Sequence, residues 1–443
     1  MPDEILYTET HRPQFHFTPK CNWTNDPNGL VYYEGEYHLF FQHNPTGITW
    51  GNMTWGHAIS TDLVHWTQLE HALHPDELGT IFSGSAVVDW HNSAGFQAKD
   101  EKALVAFYTS AGEKPVPFTQ SIAYSNDRGR TWTKHENNPV IGHIRAQNRD
   151  PKVFWHAPSK QWIMALYLDA NDYTIYGSKD LKAWEQLCDL TLPGVTECPD
   201  LFELSVDGDR ANTRWVYWGA NGGYLLGQFD GQSFTAETDV LNAEGGRNGY
   251  AAQTWSDTPD GRLVQISWMR GGKYPAMPFN QQMSFPVELS LRTTPAGIRL
   301  CREPIAEIGL LHHQTYQWDN YALAPGAELI PATKSQLFDL RLAIEPGNAT
   351  SFGIKIHGID LRYEGGKISF QGTETALAPI DGRLVLQLLV DRTSLEIFGH
   401  RGELSMSICY LPEAADNPLV FYAEDGAAHI VSLAVHQLRS AWK

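Results

Sequence analysis

Ser125-Asn-Asp-Arg-Gly-Arg-Thr-Trp132 is one of three stretches in which a Ser-x-Asp turn is followed by a tryptophan. The other two are Ser60-Thr-Asp-Leu-Val-His-Trp66 and Ser178-Lys-Asp-Leu-Lys-Ala-Trp184, and Phe229-Asp-Gly-Gln-Ser-Phe234 is a weaker fourth copy. The aromatic residues that end the copies lie 66, 52 and 50 residues apart. Each copy follows a strand-like run, so the repeated unit contains a β-hairpin within a small sheet.

The spacing of this repeat is typical of a β-propeller, in which each blade is a sheet of about four strands. Four copies, together with the N-terminal segment and the segment 250–268, indicate five blades. The 38 glycines and 25 prolines favour many short strands and turns, and therefore an all-β protein. The alternative is a set of unrelated turns in an irregular β protein, because Asp- and Gly-containing turns are common there.

The sequence changes character after about residue 300, where tryptophans become rare and apolar residues alternate with polar ones. Phe338 to Ile344 and Leu404 to Tyr410 show this period of two, which predicts half-buried antiparallel strands. Several such strands separated by Pro/Gly turns indicate a β-sandwich. We therefore predict a propeller domain over 1–300, a linker over 301–313 and a sandwich domain over 314–443.

Composition excludes several classes of function. The chain has 33 Lys and Arg against 51 Asp and Glu, a formal net charge of −18, and so lacks the basic surface that nucleic acids or anionic membranes require. No apolar run approaches the roughly 18 residues of a membrane helix. The five cysteines are widely spaced and fit neither a disulfide framework nor a metal site, and we find no motif for a metal or cofactor.

The first eight residues contain Asp3 and Glu4 and no apolar core, so the chain as given has no secretory signal. A cytoplasmic location is one interpretation. Secretion or a periplasmic location is the other, if the chain is a mature or trimmed form. The oligomeric state is left open by the sequence.

Three short motifs combine carboxylates with turn residues. Asp26 lies in Trp23-Thr-Asn-Asp-Pro-Asn-Gly29, where the tight turn would hold the carboxylate at a strand end. Asp150 follows an arginine, which by itself fits a surface ion pair. Glu197 precedes Cys198 and Pro199, and this apolar setting predicts a pKa raised by desolvation, which would suit a proton donor. Each motif is weak alone, and their joint occurrence is the informative observation.

Together these motifs resemble glycoside hydrolase family 32, which includes invertases, levanases and exo-inulinases, and the resemblance extends over nearly the whole chain. It implies a five-bladed propeller followed by a sandwich. It also implies that Asp26 is the nucleophile, Asp150 the stabiliser of the transition state and Glu197 the general acid/base of a retaining hydrolase that needs no cofactor or metal. The residues expected to bind the sugar are Trp23, Asn25, Gln42, Trp50, Phe82, Ser83 and Arg149.

Within this family, the stretch that ends at Trp132 and the stretches 89–96 and 390–398 are most similar to the levanase and exo-inulinase branch. The expected substrate is therefore a β-fructan, levan or inulin, from which terminal fructose is released, with sucrose as a further substrate. An invertase, an endo-acting fructanase and a fructosyltransferase are the alternatives in the family. Thr196 and Asn248-Gly249 depart from the common family pattern, which leaves the preferred linkage open.

Two alternatives lie outside the family. The turn that ends at Trp132 also fits sialidase propellers, but the motifs contain no arginine cluster for a substrate carboxylate and no Tyr/Glu pair. An inactive carbohydrate-binding propeller would have lost one of its catalytic carboxylates. Since all three are present, an enzyme is the better interpretation.

Overall fold

The computed structural model describes residues 7–113 and 115–442. Residues 1–6, most of the segment examined for a signal peptide, lie outside the described residues, as do the predicted domain limits 1 and 443. The regular structure of the described part is almost entirely β, as the residue alternation predicted. No helix within it is long and apolar enough to cross a membrane.

Within 7–113 and 115–304, the first part of the chain contains 22 strands. They are β1 Asn22–Tyr33, β2 Glu36–Asn44, β3 Thr54–Ser60, β4 Thr67–Gln68, β5 Thr80–Val88, β6 Leu104–Ala111, β7 Phe118–Ser125, β8 Thr133–Lys134, β9 Arg149–His156, β10 Gln161–Asp169, β11 Asp172–Ser178, β12 Glu185–Thr191, β13 Asp200–Val206, β14 Asp209–Trp218, β15 Gly223–Phe229, β16 Phe234–Ala236, β17 Leu241–Asn242, β18 Gly249–Thr254, β19 Val264–Met269, β20 Phe279–Asn280, β21 Val287–Thr294 and β22 Gly297–Pro304.

These strands form four hydrogen-bonded sheets. Three have the orders β20-β1-β2-β3-β4, β5-β6-β7-β8 and β12-β11-β10-β9. The fourth has nine strands, seven of them in the order β16-β15-β14-β13-β21-β19-β18, with β17 on β15 and β22 on β21. Strand β1 contacts β5 and β18, and β5 contacts β9. The first strand of each sheet therefore faces a shared interior.

All four copies of the repeat have the same structural role, because each connects two neighbouring strands of a sheet. They connect β3 to β4, β7 to β8, β11 to β12 and β15 to β16. In the first copy, Asp62 Oδ1 accepts hydrogen bonds from the backbone N–H groups of Val64 and His65 at 3.0 and 2.8 Å. Asp127, Asp180 and Asp230 bond the backbone in the same way. The aspartate accepts hydrogen bonds from backbone N–H groups of the turn that would otherwise be unpaired. The repeat therefore has a structural role, which is to stabilise these turns.

The second part of the chain contains two six-stranded sheets. Its strands are β23 His312–Leu323, β24 Glu328–Leu329, β25 Phe338–Glu345, β26 Ser351–Ile356, β27 Ile359–Glu364, β28 Lys367–Phe370, β29 Thr373–Ala376, β30 Leu384–Val390, β31 Ser394–Gly399, β32 Leu404–Cys409, β33 Leu419–Glu424 and β34 Ala428–Leu438. The sheet orders are β23-β34-β25-β30-β31-β32 and β24-β33-β26-β27-β28-β29. Apolar residues of both sheets share one buried core, so the two sheets form a sandwich.

The junction between the two parts is short. Strand β22 pairs with β21 as far as Pro304, and β23 begins at His312, so 305–311 connects the parts, within the expected linker of 301–313. This connection holds a 3-10 helix, Ala306–Leu311. Its buried residue Leu311 belongs to the same apolar cluster as Leu389 and Phe398 of the sandwich. The two parts therefore share a hydrophobic core across their interface.

A buried histidine joins the two parts as well. His16 Nδ1 lies 2.9 Å from Asp391 Oδ2, and His16 Nε2 lies 2.8 Å from Glu396 Oε2. Burial alone would lower the pKa of His16, but hydrogen bonds to the two carboxylates outweigh burial and raise it to about 9. At neutral pH the imidazolium therefore donates to a carboxylate of the sandwich on each side.

Candidate active site

The three predicted carboxylates lie at the same end of the inner strands. Asp26 is near the start of β1, where the pairing with β2 has a register shift between Thr24 and Pro27. Asp150 is the second residue of β9, and Glu197 lies three residues before β13. Asp150 and Glu197 have φ values of 65° and 56°, a left-handed conformation that costs free energy in residues with a side chain. Strain of this kind concentrates at functional sites.

Cys198 contacts the carboxylates of the other two motifs. Its backbone N–H donates to Asp150 Oδ2 at 3.0 Å, and its thiol lies 3.4 Å from the same oxygen and 3.8 Å from Asp26 Oδ2. Cys198 directly follows Glu197 in the chain. Residues that are 172 positions apart therefore meet within one small volume.

The carboxylate of Asp26 has two hydrogen-bond donors. Ser83 Oγ donates to Oδ2 at 2.6 Å, and Asn25 Nδ2 donates to Oδ1 at 3.2 Å. Burial raises the pKa of Asp26 above its ordinary value, while these two hydrogen bonds oppose the rise. They favour the ionised form, which is the form that can attack an electrophilic carbon.

Asp150 is only 3% exposed and lies beside two other carboxyl groups. Burial raises its pKa to about 7; the charge of Arg149 acts against the rise, and Asp26 and Glu197 add to it. The Asp150 carboxyl is therefore protonated in weakly acidic solution while the cavity is empty.

The pKa predicted for Glu197 was wrong in direction. Burial does act upward, as the sequence suggested, but hydrogen bonds from Tyr250 and Arg149 and the charge of Arg149 outweigh it and lower the pKa of Glu197. The Tyr250 hydroxyl donates to Oε2, and Arg149 Nη2 pairs with Oε1. The empty cavity therefore holds Glu197 as an ionised carboxylate.

A cavity of about 730 Å³ opens above these carboxylates. All three carboxylates line it, and so do most of the predicted sugar-binding residues: Asn25, Gln42, Trp50, Phe82, Ser83 and Arg149. Trp23 is not part of the lining. Its indole N–H donates to Asn25 Oδ1 at 2.9 Å, and its ring meets that of Trp268 edge to face at 6.1 Å. The structure thus places Trp23 behind the wall of the cavity.

The interior below the carboxylates is closed by a buried polar cluster. Lys152 Nζ lies 3.2 Å from Asp200 Oδ2 and donates to the backbone oxygen of Thr254 at 2.7 Å. All three residues are at most 3% exposed, and they belong to β9, β13 and β18. This cluster therefore lies on the same inner strands as the carboxylates, deeper in the interior than the cavity that they line.

Sequence reasoning did not assign three further residues of the cavity wall, Tyr250, Trp268 and Arg270. The Arg270 guanidinium lies 4.5 Å from the centre of the Tyr250 ring, in a cation–π contact. One signal was available in the sequence. Tyr250 occupies the start of β18, the position that Asp150 has in β9, so its placement at the same end of the shared interior was predictable from the strand order.

Comparisons with known proteins show what the chain as a whole is similar to. Residues 16–304 match the model of the glycosyl hydrolases family 32 N-terminal domain, and residues 309–437 match that of the family's C-terminal domain. A levanase of Bacillus subtilis (strain 168) is 41% identical over 99% of this chain and 72% of its own length.

Two solved structures extend the comparison. The exo-inulinase from Aspergillus awamori superimposes with a TM-score of 0.89 at 30% identity, over 98% of this chain and all of the other. The β-fructofuranosidase from Schwanniomyces occidentalis, solved in complex with fructosyl-erythritol, has a TM-score of 0.89 at 27% identity over 99% of this chain and 100% of its own.

Proposed function

The chain belongs to glycosyl hydrolase family 32, and we propose that within it this β-fructofuranosidase is a retaining fructan β-fructosidase that releases terminal fructose from levan or inulin, and also cleaves sucrose. One observation supports the proposal above the others. Asp26, Asp150 and Glu197 meet in one cavity, whose wall offers hydrogen-bond donors and aromatic rings.

The same proposal includes the arrangement of the propeller. We count five blades by dividing the nine-stranded sheet into β13–β16 and the group β18, β19, β21 and β22. The latter lacks a Ser-x-Asp turn, which explains why the repeat has four copies. Strand β20 pairs in parallel with β1, so a segment from late in the propeller completes the first sheet.

The proposed mechanism has two displacement steps, and the proximity of the three carboxylates supports it. In the first, an oxygen of Asp26 forms a bond to C2 of the terminal fructosyl unit while the C2–O bond to the rest of the substrate breaks, and the proton of Glu197 moves to the departing oxygen. In the second, Glu197 takes a proton from water, the water oxygen attacks C2, and the bond to Asp26 breaks. Both inversions together retain the configuration at C2.

Proton donation by Glu197 requires a change from the empty cavity, because there its pKa is lowered. A bound sugar removes water from the carboxyl group, and loss of water raises the pKa of an acid. The departing oxygen also takes a position beside the Glu197 carboxyl, in competition with Arg149. Substrate binding and protonation of Glu197 are thus linked, and we expect the rate to fall as the pH rises above mildly acidic values.

Asp150 and Gln42 are placed to hold the sugar ring. The Asp150 carboxyl accepts hydrogen bonds from ring hydroxyl groups, which strengthen as positive charge develops at C2. The Nε2 atom of Gln42 is buried and has no hydrogen-bond partner among the described residues. Because an unpaired buried donor costs free energy, a sugar hydroxyl at this position would gain a strong partner.

The buried residues beneath the carboxylates support release of terminal units. Lys152, Asp200 and Thr254 fill the interior beyond Asp26, which favours binding of the end of a chain over binding of its middle. Trp50 stands at the opening with 58% of its surface exposed, edge to face with Phe82 at 5.9 Å. An exposed indole of this kind suits stacking with the next sugar of the chain.

A time course of products from levan, inulin and sucrose tests the proposal. We expect fructose alone from the earliest points, and the fastest substrate identifies the preferred linkage. Early oligosaccharides would instead indicate an endo-acting enzyme or a transferase, and faster cleavage of sucrose than of either fructan would indicate an invertase. Absence of any product would favour a binding protein.

The variant Asp26→Asn adds a test of mechanism. It removes the charge of the nucleophile with little change in shape, so we expect folded protein with a kcat lower by at least about 1000-fold. A near-normal kcat in this variant would exclude Asp26 as the nucleophile.

A further inference from the structure

The segment 244–248 joins the propeller to β32 of the sandwich by backbone hydrogen bonds. The N–H of Gly245 donates to the backbone oxygen of Ser405 at 2.8 Å, and the N–H of Asn248 donates to that of Ser407 at 3.1 Å. Ser407 and Asn248 are both buried. This segment is therefore fixed by the sandwich immediately before it enters β18 and reaches Tyr250.

The side chain of Asn248 extends the contact in both directions. Its Oδ1 accepts a hydrogen bond from the backbone N–H of Cys409 in β32 at 2.8 Å, and its Nδ2 donates to the backbone oxygen of Arg270 at 2.6 Å. The N–H of Arg270 in turn donates to the backbone oxygen of Asn248 at 2.7 Å. One amide group thus connects the sandwich with both Arg270 and the chain that leads to Tyr250.

Tyr250 and Arg270 meet at the cavity wall. The Arg270 guanidinium lies over the Tyr250 ring at 4.5 Å, and the Tyr250 hydroxyl donates to Glu197. Covalent bonds and hydrogen bonds therefore connect the sandwich to the acid/base without interruption, through Cys409, Asn248, Tyr250 and Glu197.

We infer that the sandwich acts in catalysis through Asn248, which is a positioning residue: it holds Tyr250 in the place from which the Tyr250 hydroxyl fixes the Glu197 carboxyl. This inference rests on the proposed function. It assigns to the second domain a role besides stabilising the propeller.

The charged and titratable groups around Glu197 come from several elements. Arg149 of β9 pairs with it directly, Tyr250 of β18 donates to it, and Arg270 adds positive charge from the segment after β19. Asp150 and Asp26 add negative charge across the cavity. Of these groups, Tyr250 and Arg270 both depend on Asn248 for their placement. A substitution of Asn248 therefore alters the surroundings of Glu197 only on the side of Tyr250 and Arg270.

The alkaline limb of the pH profile of kcat/KM measures this effect, because kcat/KM depends on the pKa of the essential acid in the free enzyme. The hydrogen bond from Tyr250 lowers the pKa of Glu197. We expect Tyr250→Phe to raise the pKa of Glu197 and so to move the alkaline limb to higher pH by about one unit. Asn248→Ala should raise it in the same direction by a similar or smaller amount.

A double variant distinguishes this route from general damage. If Asn248 acts through Tyr250, then Asn248→Ala combined with Tyr250→Phe shifts the alkaline limb by less than the sum of the two single shifts. Ser407→Ala gives a milder perturbation from the sandwich itself, since it removes a hydroxyl that donates to Glu244 at 3.0 Å in the same segment. It should shift the limb slightly upward, and it keeps the test available if Asn248→Ala does not fold.

Ser351→Ala is the matched control. Ser351 is a buried serine of β26, in the sandwich sheet that does not contain β32, and its hydroxyl donates to Glu424 at 2.9 Å. Its alkaline limb should equal that of the wild type.

Two results would overturn the inference. In the first, Asn248→Ala and Ser407→Ala fold and have the same alkaline limb as the wild type, although the limb of Tyr250→Phe is shifted. The other is additive shifts in the double variant. Either result leaves the proposed function intact as long as the wild type hydrolyses fructans, whereas a wild type without hydrolytic activity would remove the proposed function itself.

Discussion

Replacing His16 with glutamine should remove a pH-dependent part of the stability of this protein. In the structure His16 is fully buried between Asp391 and Glu396, one carboxylate on each ring nitrogen. A glutamine at this position has one amide nitrogen and cannot donate to both carboxylates in the same geometry. His16→Gln therefore leaves buried negative charge without its positive partner, a change that typically costs about 3–5 kcal/mol.

The size of the pH dependence follows from the two pKa values of His16. Its pKa is about 9 in the folded protein and 6.5 ordinarily, so the folded protein binds this proton more tightly. A pKa difference of one unit corresponds to about 1.36 kcal/mol, which gives a contribution of about 3 kcal/mol. Because the folded pKa is the higher one, this contribution is complete below about pH 6.5 and is lost as the pH rises to about 9.

Urea unfolding followed by tryptophan fluorescence, repeated between pH 6 and pH 9.5, measures this difference. We expect the free energy of unfolding to fall with pH by about 3 kcal/mol more in the wild type than in His16→Gln. His357→Gln is the control, since burial lowers the pKa of His357 to about 4 and this histidine stays neutral throughout the range. Its profile should run parallel to that of the wild type above about pH 7.5, where His357 is neutral in the unfolded chain as well. Parallel profiles for the wild type and His16→Gln would refute the assigned charge of His16.

Three further predictions concern the active site and the junction of the domains. In Glu197→Gln, kcat on levan or inulin should fall at least about 100-fold further than kcat on an aryl β-fructofuranoside with an activated leaving group. The reason is that only the leaving group of the natural substrate needs a proton on departure. Equal losses of kcat on both substrates would contradict the role of Glu197 as the acid. Trp50→Ala should raise KM for fructans several-fold and leave KM for sucrose nearly unchanged, and equal changes for both would place the longer chain elsewhere. Deleting the chain from His312 onward should expose the apolar cluster shared with Leu389 and Phe398 and yield insoluble protein, whereas a soluble, active truncation would show loosely docked domains.

The predictions that succeeded rest on local chemistry. The Ser-x-Asp turn needs only an aspartate within a few residues of the N–H groups that it accepts from, so its role is visible in the sequence. Alternation of apolar and polar residues in 338–344 reflects the pleat of a strand and gave the sandwich strands. The motifs around Asp26, Asp150 and Glu197 indicated the family for the same reason, since each consists of adjacent residues.

What the sequence did not predict depends on partners distant in the chain. The pKa of Glu197 is lowered by Arg149, 48 residues earlier, and by Tyr250, 53 residues later. Neither contact is implied by the apolar neighbours Cys198 and Pro199, on which the expectation of a raised pKa was based. The pair His16 and Asp391 is separated by 375 residues, and no local pattern marks either residue. Asn25 lines the cavity and Trp23 does not, a difference between near neighbours in the chain that the motif alone does not indicate.

The closed inner end of the cavity has a consequence for the way in which a long fructan is degraded. In the proposed mechanism, a sugar bonded to Asp26 lies between the cluster of Lys152, Asp200 and Thr254 and the entrance at Trp50, which the rest of the polymer would occupy until the first bond is broken. The shortened polymer would then have to leave before water enters and before the fructose follows it out. We therefore expect distributive degradation: each encounter removes one unit, the polymer does not slide forward to a second cleavage, and all chains in a sample shorten together.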